Sequence, residues 1–394
     1  MTFASGRTVR CALATAAACF VTLVSVSGSP AGAPAQAGST GPDQAPLMSD
    51  AVFKNIQVLK GIPVDEFMDT MGMFAAATGM NCTDCHIEES GGSWARYADD
   101  NQLKQRTRTM IVMVNTLNRT YFEGRRVVTC YSCHNGGRRP RVNPSLAVQY
   151  AVDPIIDDPY EILQPPSGAP SIDAVLDKYI QAVGGATRLA GLSSFVAQGT
   201  YGGFDDFEKY PLEVFASTPG QRTTILHSQY GDQTITHDGR SGWIAAPAEV
   251  KPLPVMALTG DNLQGTGIEA ELSFPGRIKQ VLGGWIVGPL TVIGDRDVRM
   301  VQGRKPGGPP ISLYFDDESG LLVRMVRYSE SPVGRVPTQI DYEDYRDVSG
   351  IKVPFKWTST WTDGRTVFEL KSVQPNAKID PMRFAKPRPP AAVR

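Results

Sequence analysis

Cys82-Thr83-Asp84-Cys85-His86 and Cys130-Tyr131-Ser132-Cys133-His134 are two copies of one pentad, Cys-x-x-Cys-His, in a chain of 394 residues with 6 Cys and 4 His. Two thiols three positions apart can each add to a vinyl group of one porphyrin, and the adjoining His can reach the iron from the same loop. The pentads therefore predict two covalently attached haems c (heme c), one on Cys82 and Cys85 and one on Cys130 and Cys133, with His86 and His134 as iron ligands. A four-thiolate zinc site is the competing use of two Cys pairs. It is disfavoured because the 44 residues between the pairs exceed the usual zinc-ribbon gap and a His follows each pair. A thioredoxin-like centre needs one pair beside a parallel sheet and fits less well still.

Cys11 and Cys19, the two remaining cysteines, lie in an apolar run from Cys11 to about Val26 that follows Arg7 and Arg10. Basic residues, an apolar core and a small-residue site read as a secretory signal over residues 1–37, cleaved after Ala37. The mature chain then keeps only the four pentad thiols and has no disulfide to build. A lipid anchor at Cys19 is disfavoured, because more apolar residues follow it. No later stretch is long and apolar enough to span a bilayer. The expectation is an exported, periplasmic protein, soluble after cleavage.

Chain length exceeds the usual size of one core, which predicts a multidomain protein. Pro154, Pro159, Pro165, Pro166 and Pro170 mark a linker over 146–170, since their rings forbid regular ladders. Before it, residues 38–145 read as a mainly α dihaem domain; after it, residues 171–394 read as an α+β domain with a curved antiparallel sheet.

Helical periodicity recurs ahead of each pentad. Val52, Phe53, Ile56 and Leu59 form a short apolar stripe; Pro63 suits the first turn of a longer helix that Gly79 can end. Asp65 and Glu66 sit where the helix dipole favours negative charge. Phe67, Met71 and Phe74 share a face of that helix, and Leu103, Met110, Met113, Val114 and Leu117 share a face of a second helix running from Asp99 and Asp100 to about Asn118. The order helix, loop, pentad thus occurs twice, with the cysteine registers 48 residues apart. Apart from His86 and His134, the only histidines are His227 and His237, far away in the strand-rich half. Methionine is the economical second iron ligand; its soft thioether raises the reduction potential and closes the sixth position. Pattern alone leaves Met68, Met71, Met73, Met80, Met110 and Met113 in competition, because a Met at helical spacing often fills a core.

The stretch from Asn55-Ile56-Gln57-Val58-Leu59 through Glu66-Phe67-Met68-Asp69-Thr70-Met71 to the first pentad resembles the first haem unit of the cytochrome c subunit of bacterial photosynthetic reaction centres. Arg108-Thr109-Met110 with Asn118, then Val128-Thr129 and the second pentad, resembles its second. The resemblance covers roughly residues 50–145. It implies Met71 and Met110 as distal ligands. It also implies an electron carrier rather than an enzyme, with redox proteins, a membrane-bound electron-transfer complex or a reaction centre as partners. Known members carry four haems, whereas this chain has two pentads and then a different domain. A haem enzyme or sensor with one open iron position, binding peroxide or a gas, is the alternative.

Charge is polarised along the haem-bearing half. Residues 43–100 hold ten acidic residues against three basic ones, and residues 101–141 hold nine basic residues against Glu123 alone. Positive surroundings favour ferrous iron, so the second haem is expected to have the higher potential if the asymmetry survives folding. The same segment, with Arg125, Arg126, Arg138 and Arg139, suits docking of an acidic redox partner. It carries no nucleic-acid-binding motif, and the whole chain has a net charge of -1.

Beyond the linker, residues 171–191 read as an amphipathic helix. Alternation then marks strands at 194–201, 212–217, 223–228, 234–237, 243–246, 290–293, 298–302, 311–315, 322–328, 338–342, 355–361 and 366–373, with Asp238-Gly239 and Asp363-Gly364 as hairpin turns. Residues 262–282 suit helical segments crossing one mouth of the sheet, broken at Pro275. The pattern resembles the half-barrel of periplasmic lipoprotein carriers, a shape that can cup a hydrophobic ligand. His227 and His237 are expected to be exposed sheet residues, and no catalytic constellation stands out.

Overall fold

The computed structural model describes residues 46–86, 94–140, 162, 164–203, 208–248, 250–362 and 364–389. The expected signal segment over residues 1–37 and most of the expected linker over 146–170 lie outside these residues. Among those described, no helix is long and apolar enough to cross a membrane.

The half that carries the two pentads is helical. A single turn, α1 (Ser49–Val52), leads through an irregular stretch to α2 (Val64–Thr78) and the one-turn α3 (Cys82–Cys85). A 3-10 turn (Trp94–Ala98) precedes α4 (Gln102–Tyr121), and α5 (Cys130–His134) follows. The apolar stripe from Val52 to Leu59 is therefore not a helix beyond its first residue; Leu59 is buried and Ile56 packs beside it because loop segments also fill the core. Pro63 caps α2 from just outside rather than sitting in its first turn, and Gly79 ends it in the left-handed conformation at φ +65°. Asn101 caps α4 by accepting from the Lys104 N–H at 3.0 Å, two residues after the expected start.

Residues 172–190 form two helices, α6 (Ile172–Ala182) and α7 (Ala186–Ala190), broken where Gly184 and Gly185 take positive φ. Thirteen strands then make one antiparallel sheet: β1 (Ser194–Gly203), β2 (Tyr210–Ser217), β3 (Gln221–Leu226), β4 (Gln233–Asp238), β5 (Gly242–Ala245), β6 (Val255–Ala257), β7 (Gly283–Ile293), β8 (Arg296–Arg304), β9 (Ile311–Asp316), β10 (Leu322–Ser331), β11 (Gly334–Val348), β12 (Ile351–Trp361) and β13 (Gly364–Pro375). Their order is β6-β5-β4-β3-β2-β1-β13-β12-β11-β10-β9-β8-β7. Two meanders thus meet at the β1–β13 ladder. The chain passes from one outer edge to the other through α8 (Gly260–Leu272), the 3-10 turn Pro275–Arg277 and α9 (Ile278–Val281), so Pro275 breaks the crossing segment as its ring requires.

Those helices cover the curved sheet. Leu176, Tyr179 and Val183 of α6, Ile268 of α8, and Ile278 and Val281 of α9 pack against Leu313, Phe315, Met325 and Ile340. Each such apolar side chain contributes about 1.5–3 kcal/mol on full burial. On β9 the other face is closed too, where Tyr314 joins Ile162, Val298 and Met300. His237 is buried, contrary to expectation, because α8 lies over it, where a Cβ on Gly267 would come 3.0 Å from its Nε2; its Nδ1 lies 2.8 Å from the Gly220 carbonyl. His227 is partly exposed and pairs with Asp232 at 2.7 Å.

Candidate haem-binding site

Each pentad begins a short helix whose cap is written in its flanking residues. Asn81 accepts from the Asp84 N–H while Asp84 accepts from the Asn81 N–H, and Thr129 and Ser132 form the same reciprocal pair. Such capping boxes satisfy the donors that a helix start leaves free. They present Cys82 and Cys133 exposed, and Cys85 and Cys130 half-buried. Burial raises the Cys85 and Cys130 thiol pKa values.

The two histidines are held alike. His86 Nδ1 lies 3.0 Å from the Tyr97 carbonyl, and His134 Nδ1 lies 3.1 Å from the Gly137 carbonyl. A carbonyl only accepts, so Nδ1 carries a proton in both rings, which leaves Nε2 as the nitrogen that could bind a metal. Tyr97 also stacks on the His86 ring with centroids 4.4 Å apart. Burial first, then the Lys104 charge, lowers the His86 pKa and favours the neutral imidazole that a metal needs.

The helices brace the pentads crosswise. Gly136, after the second pentad, donates its N–H to the Ala77 carbonyl of α2 at 3.0 Å, and Cys130 packs in the cluster of Leu59, Met73, Ile111, Val333 and Val336. Asn101 at the start of α4 donates to the Cys85 carbonyl at 2.7 Å. Buried Asn118 fastens the loop before the second pentad: its Nδ2 donates to the Val128 carbonyl, and its Oδ1 accepts from the Val127 and Val128 N–H groups. Sequence reasoning passed over these braces, although the Asn-x-x-Asp and Thr-x-x-Ser patterns are visible as capping signals.

Burial sorts the methionines. Met73 is a core residue, 5% exposed, while Met113 is 42% exposed. Met71 and Met110 are half-buried on α2 and α4, as are Met68, also on α2, and Met80 in the loop after it. The basic segment is partly engaged inside the protein: Arg126 pairs with Glu330 of β10, and Arg108 pairs with Asp100, each at 2.8 Å.

The half that carries the pentads is fixed to the sheet through α2. Asp65 and Asp69 are buried; Asp65 accepts from the Thr259 N–H and hydroxyl, and Asp69 accepts from Asn262 Nδ2 at 2.7 Å. Burial pushes the Asp69 carboxyl up to about 6. Gly72 faces Trp361 and Thr362 so closely that an added Cβ would lie 2.5 Å from each.

What the residues offer fits a covalently bound haem: paired thiols, at least one accessible in each pair, and an imidazole oriented by a backbone carbonyl beside each pair. Comparison with solved structures places 55% of the chain on 98% of a DUF1329 family protein from Desulfovibrio piger (9% identity, TM-score 0.38). It also places 55% of the chain on 99% of a LolA superfamily protein from Nitrosomonas europaea (15% identity, TM-score 0.37). A curated relative, the photosynthetic reaction center cytochrome c subunit of Thermochromatium tepidum, is 35% identical over 111 residues, which are 27% of this chain and 24% of the relative. The chain therefore matches about a quarter of that relative's length. Residues 25–145 match the model of the photosynthetic reaction centre cytochrome C subunit family, so the segment that carries both pentads is similar to a family of cytochromes.

Proposed function

We propose that this protein is an exported dihaem electron carrier, with one haem c on Cys82 and Cys85 and one on Cys130 and Cys133. Each bound haem supplies a one-electron ferric/ferrous couple. The chain's own task is to tether, orient and seal it. His86 and His134 would hold the iron through Nε2, Met71 and Met110 would hold it through their thioethers, and α2 and α4 would shield those thioethers from water. Electrons pass between redox proteins, a membrane-bound electron-transfer complex or a reaction centre among them.

The observation that carries this reading is the shared fixation of both pentad histidines by a backbone carbonyl at Nδ1. One such contact is ordinary; the same contact twice, each beside a Cys-x-x-Cys pair, is how a metal-binding imidazole is held, its far nitrogen donating to a carbonyl that fixes the ring. Intact-mass measurement of the exported protein is the test. A gain of two porphyrins over the mature polypeptide supports the proposal, and a chain without added porphyrin overturns it. Carbon monoxide then separates a carrier from a haem enzyme or sensor, because two six-coordinate irons resist it and an open iron takes it up readily.

A further inference from the structure

The concave face of the sheet and the helices over it border a hollow that opens to solvent. Concave, mostly apolar hollows with a few polar groups are where small molecules bind. Its wall is largely apolar, with Phe195, Val214, Ile340, Trp357, Leu370 and Val373 among the lining residues. Arg222 of β3 interrupts it. Protein surrounds this side chain, yet it keeps exposed surface where it borders the cavity. Arg222 Nη1 donates to Ser273 Oγ at 2.6 Å, and the guanidinium lies 5.9 Å from the centroid of the Trp357 ring. Among the described residues no carboxylate stands within ion-pairing distance of it.

Glu269 is the acidic side chain on the wall, and it is already engaged. Arg327 binds it through Nε at 3.1 Å and Nη2 at 3.0 Å. Gly265 makes room for that pair, since a Cβ there would come within 2.6 Å of Arg327 Nη1. Two guanidiniums against one carboxylate leave one positive charge unbalanced in an apolar setting. A buried charge in such a setting is costly unless a partner satisfies it. Guanidinium N–H groups match a carboxylate well.

We propose that this cavity binds a single-chain amphiphile with one carboxylate, the chain on the apolar wall and the carboxylate on Arg222. The proposal is independent of the haems and gives the sheet half a ligand of its own. Lys352, exposed and also on the cavity lining, adds positive charge on the solvent side, which favours entry of an anion.

The test uses the mature haem-loaded protein and the fluorescent probe 11-(dansylamino)undecanoic acid, displaced in parallel by decanoate and by decanol. The expected result is that decanoate displaces the probe at about ten-fold lower concentration than decanol, as a charge-assisted bond requires. In Arg222→Met that preference shrinks to about three-fold or less, and in Arg222→Lys it partly returns. Equal displacement by acid and alcohol, failure of the protein to take up the probe, or an unchanged preference in Arg222→Met each overturns the proposal. Should Arg222→Met not fold, the acid-against-alcohol comparison in the unaltered protein decides alone.

Discussion

Met71 and Met73 stand two positions apart on α2 and carry the same thioether, but their surroundings differ. Met73 is 5% exposed, and its methyl would sit 2.6 Å from a Cβ placed on Gly334 of β11. Met71 is half-buried at the margin of that cluster. Removing the Met73 side chain should open a cavity and cost about 2–5 kcal/mol of stability, as core truncations do. The Met-to-iron charge-transfer band should survive it. Met71→Ala should do the reverse, losing about half of that band and admitting carbon monoxide at the first haem, with a smaller shift in unfolding midpoint. Met110→Ala should remove the other half, and Met113→Ala, at a site 42% exposed, should change neither property. Absorbance and thermal unfolding of the four variants check this; loss of the band in Met73→Ala and not in Met71→Ala would reassign the ligand. The pentads were fully legible in the sequence because their chemistry lies within five residues. The choice among methionines was not, since it depends on how β11 packs against α2, and helical spacing alone puts several thioethers on nearby faces. His237 shows the same limit: alternation marked it as a strand residue, but it is α8, packed over the sheet at Gly267, that covers its ring.

Strands and helices were legible wherever one face is buried and the other is wet. Alternation along 194–201 or 355–361 states which side faces the core, and β1 and β12 follow it. The short edge strand β6 (Val255–Ala257) escaped because three residues between Pro252 or Pro254 and a loop cannot show a period. The stripe from Val52 to Leu59 misled in the opposite sense, since buried loop residues can mimic helical spacing over two turns. Elements also meet in a way that no local pattern declares: α2, which precedes the first pentad, abuts the loop after the second. Gly79 is the contact. It takes φ +65° to end α2, and a Cβ there would lie 2.5 Å from the Gly136 carbonyl oxygen. Gly79→Ala should therefore destabilise the protein by more than the roughly 1 kcal/mol of a left-handed alanine alone, because backbone must also shift. The displaced loop follows the second pentad, so haem occupancy should fall at Cys130 and Cys133 before it falls at Cys82 and Cys85. Peptide mass mapping of the two pentads, with unfolding midpoints, reads both effects. Equal occupancy at the two pentads with unaltered stability would show that the crosswise brace is inconsequential.

At the scale of the molecule, the sequence announced two halves but not the joint between them, which pairs residues 194 positions apart. Asp65 takes two hydrogen bonds from Thr259, and Arg126 reaches Glu330, so acidic side chains of α2, α8 and β10 share one interface. Asp65→Ala leaves the Thr259 N–H without its acceptor, and an orphaned buried donor costs about 1–3 kcal/mol. Urea unfolding should show that loss in both the haem absorbance and the far-ultraviolet signal, because the joint binds the halves together; separate transitions for the two signals in the unaltered protein would argue against it. The same joint gives the molecule a pH dependence whose sign is fixed. Burial raises the Asp261 pKa, while its bond from the Glu330 N–H and the charges of Arg335 and Arg126 pull the other way. An acid whose folded pKa lies above its unfolded one binds its proton more tightly in the native state. Its contribution is therefore present at low pH and is lost as pH rises from the ordinary aspartate range through the raised value. Asp261→Asn keeps an oxygen for the Glu330 N–H and removes the titration. Relative to that variant, the unaltered protein should lose stability as pH rises from the ordinary aspartate range through the raised value and then level off, measured as the difference in urea midpoint at each pH, which cancels the other carboxylates. A difference that is flat across this interval would mean that Asp261 reaches water freely in the folded protein, and that the joint is looser than the hydrogen bonds across it imply.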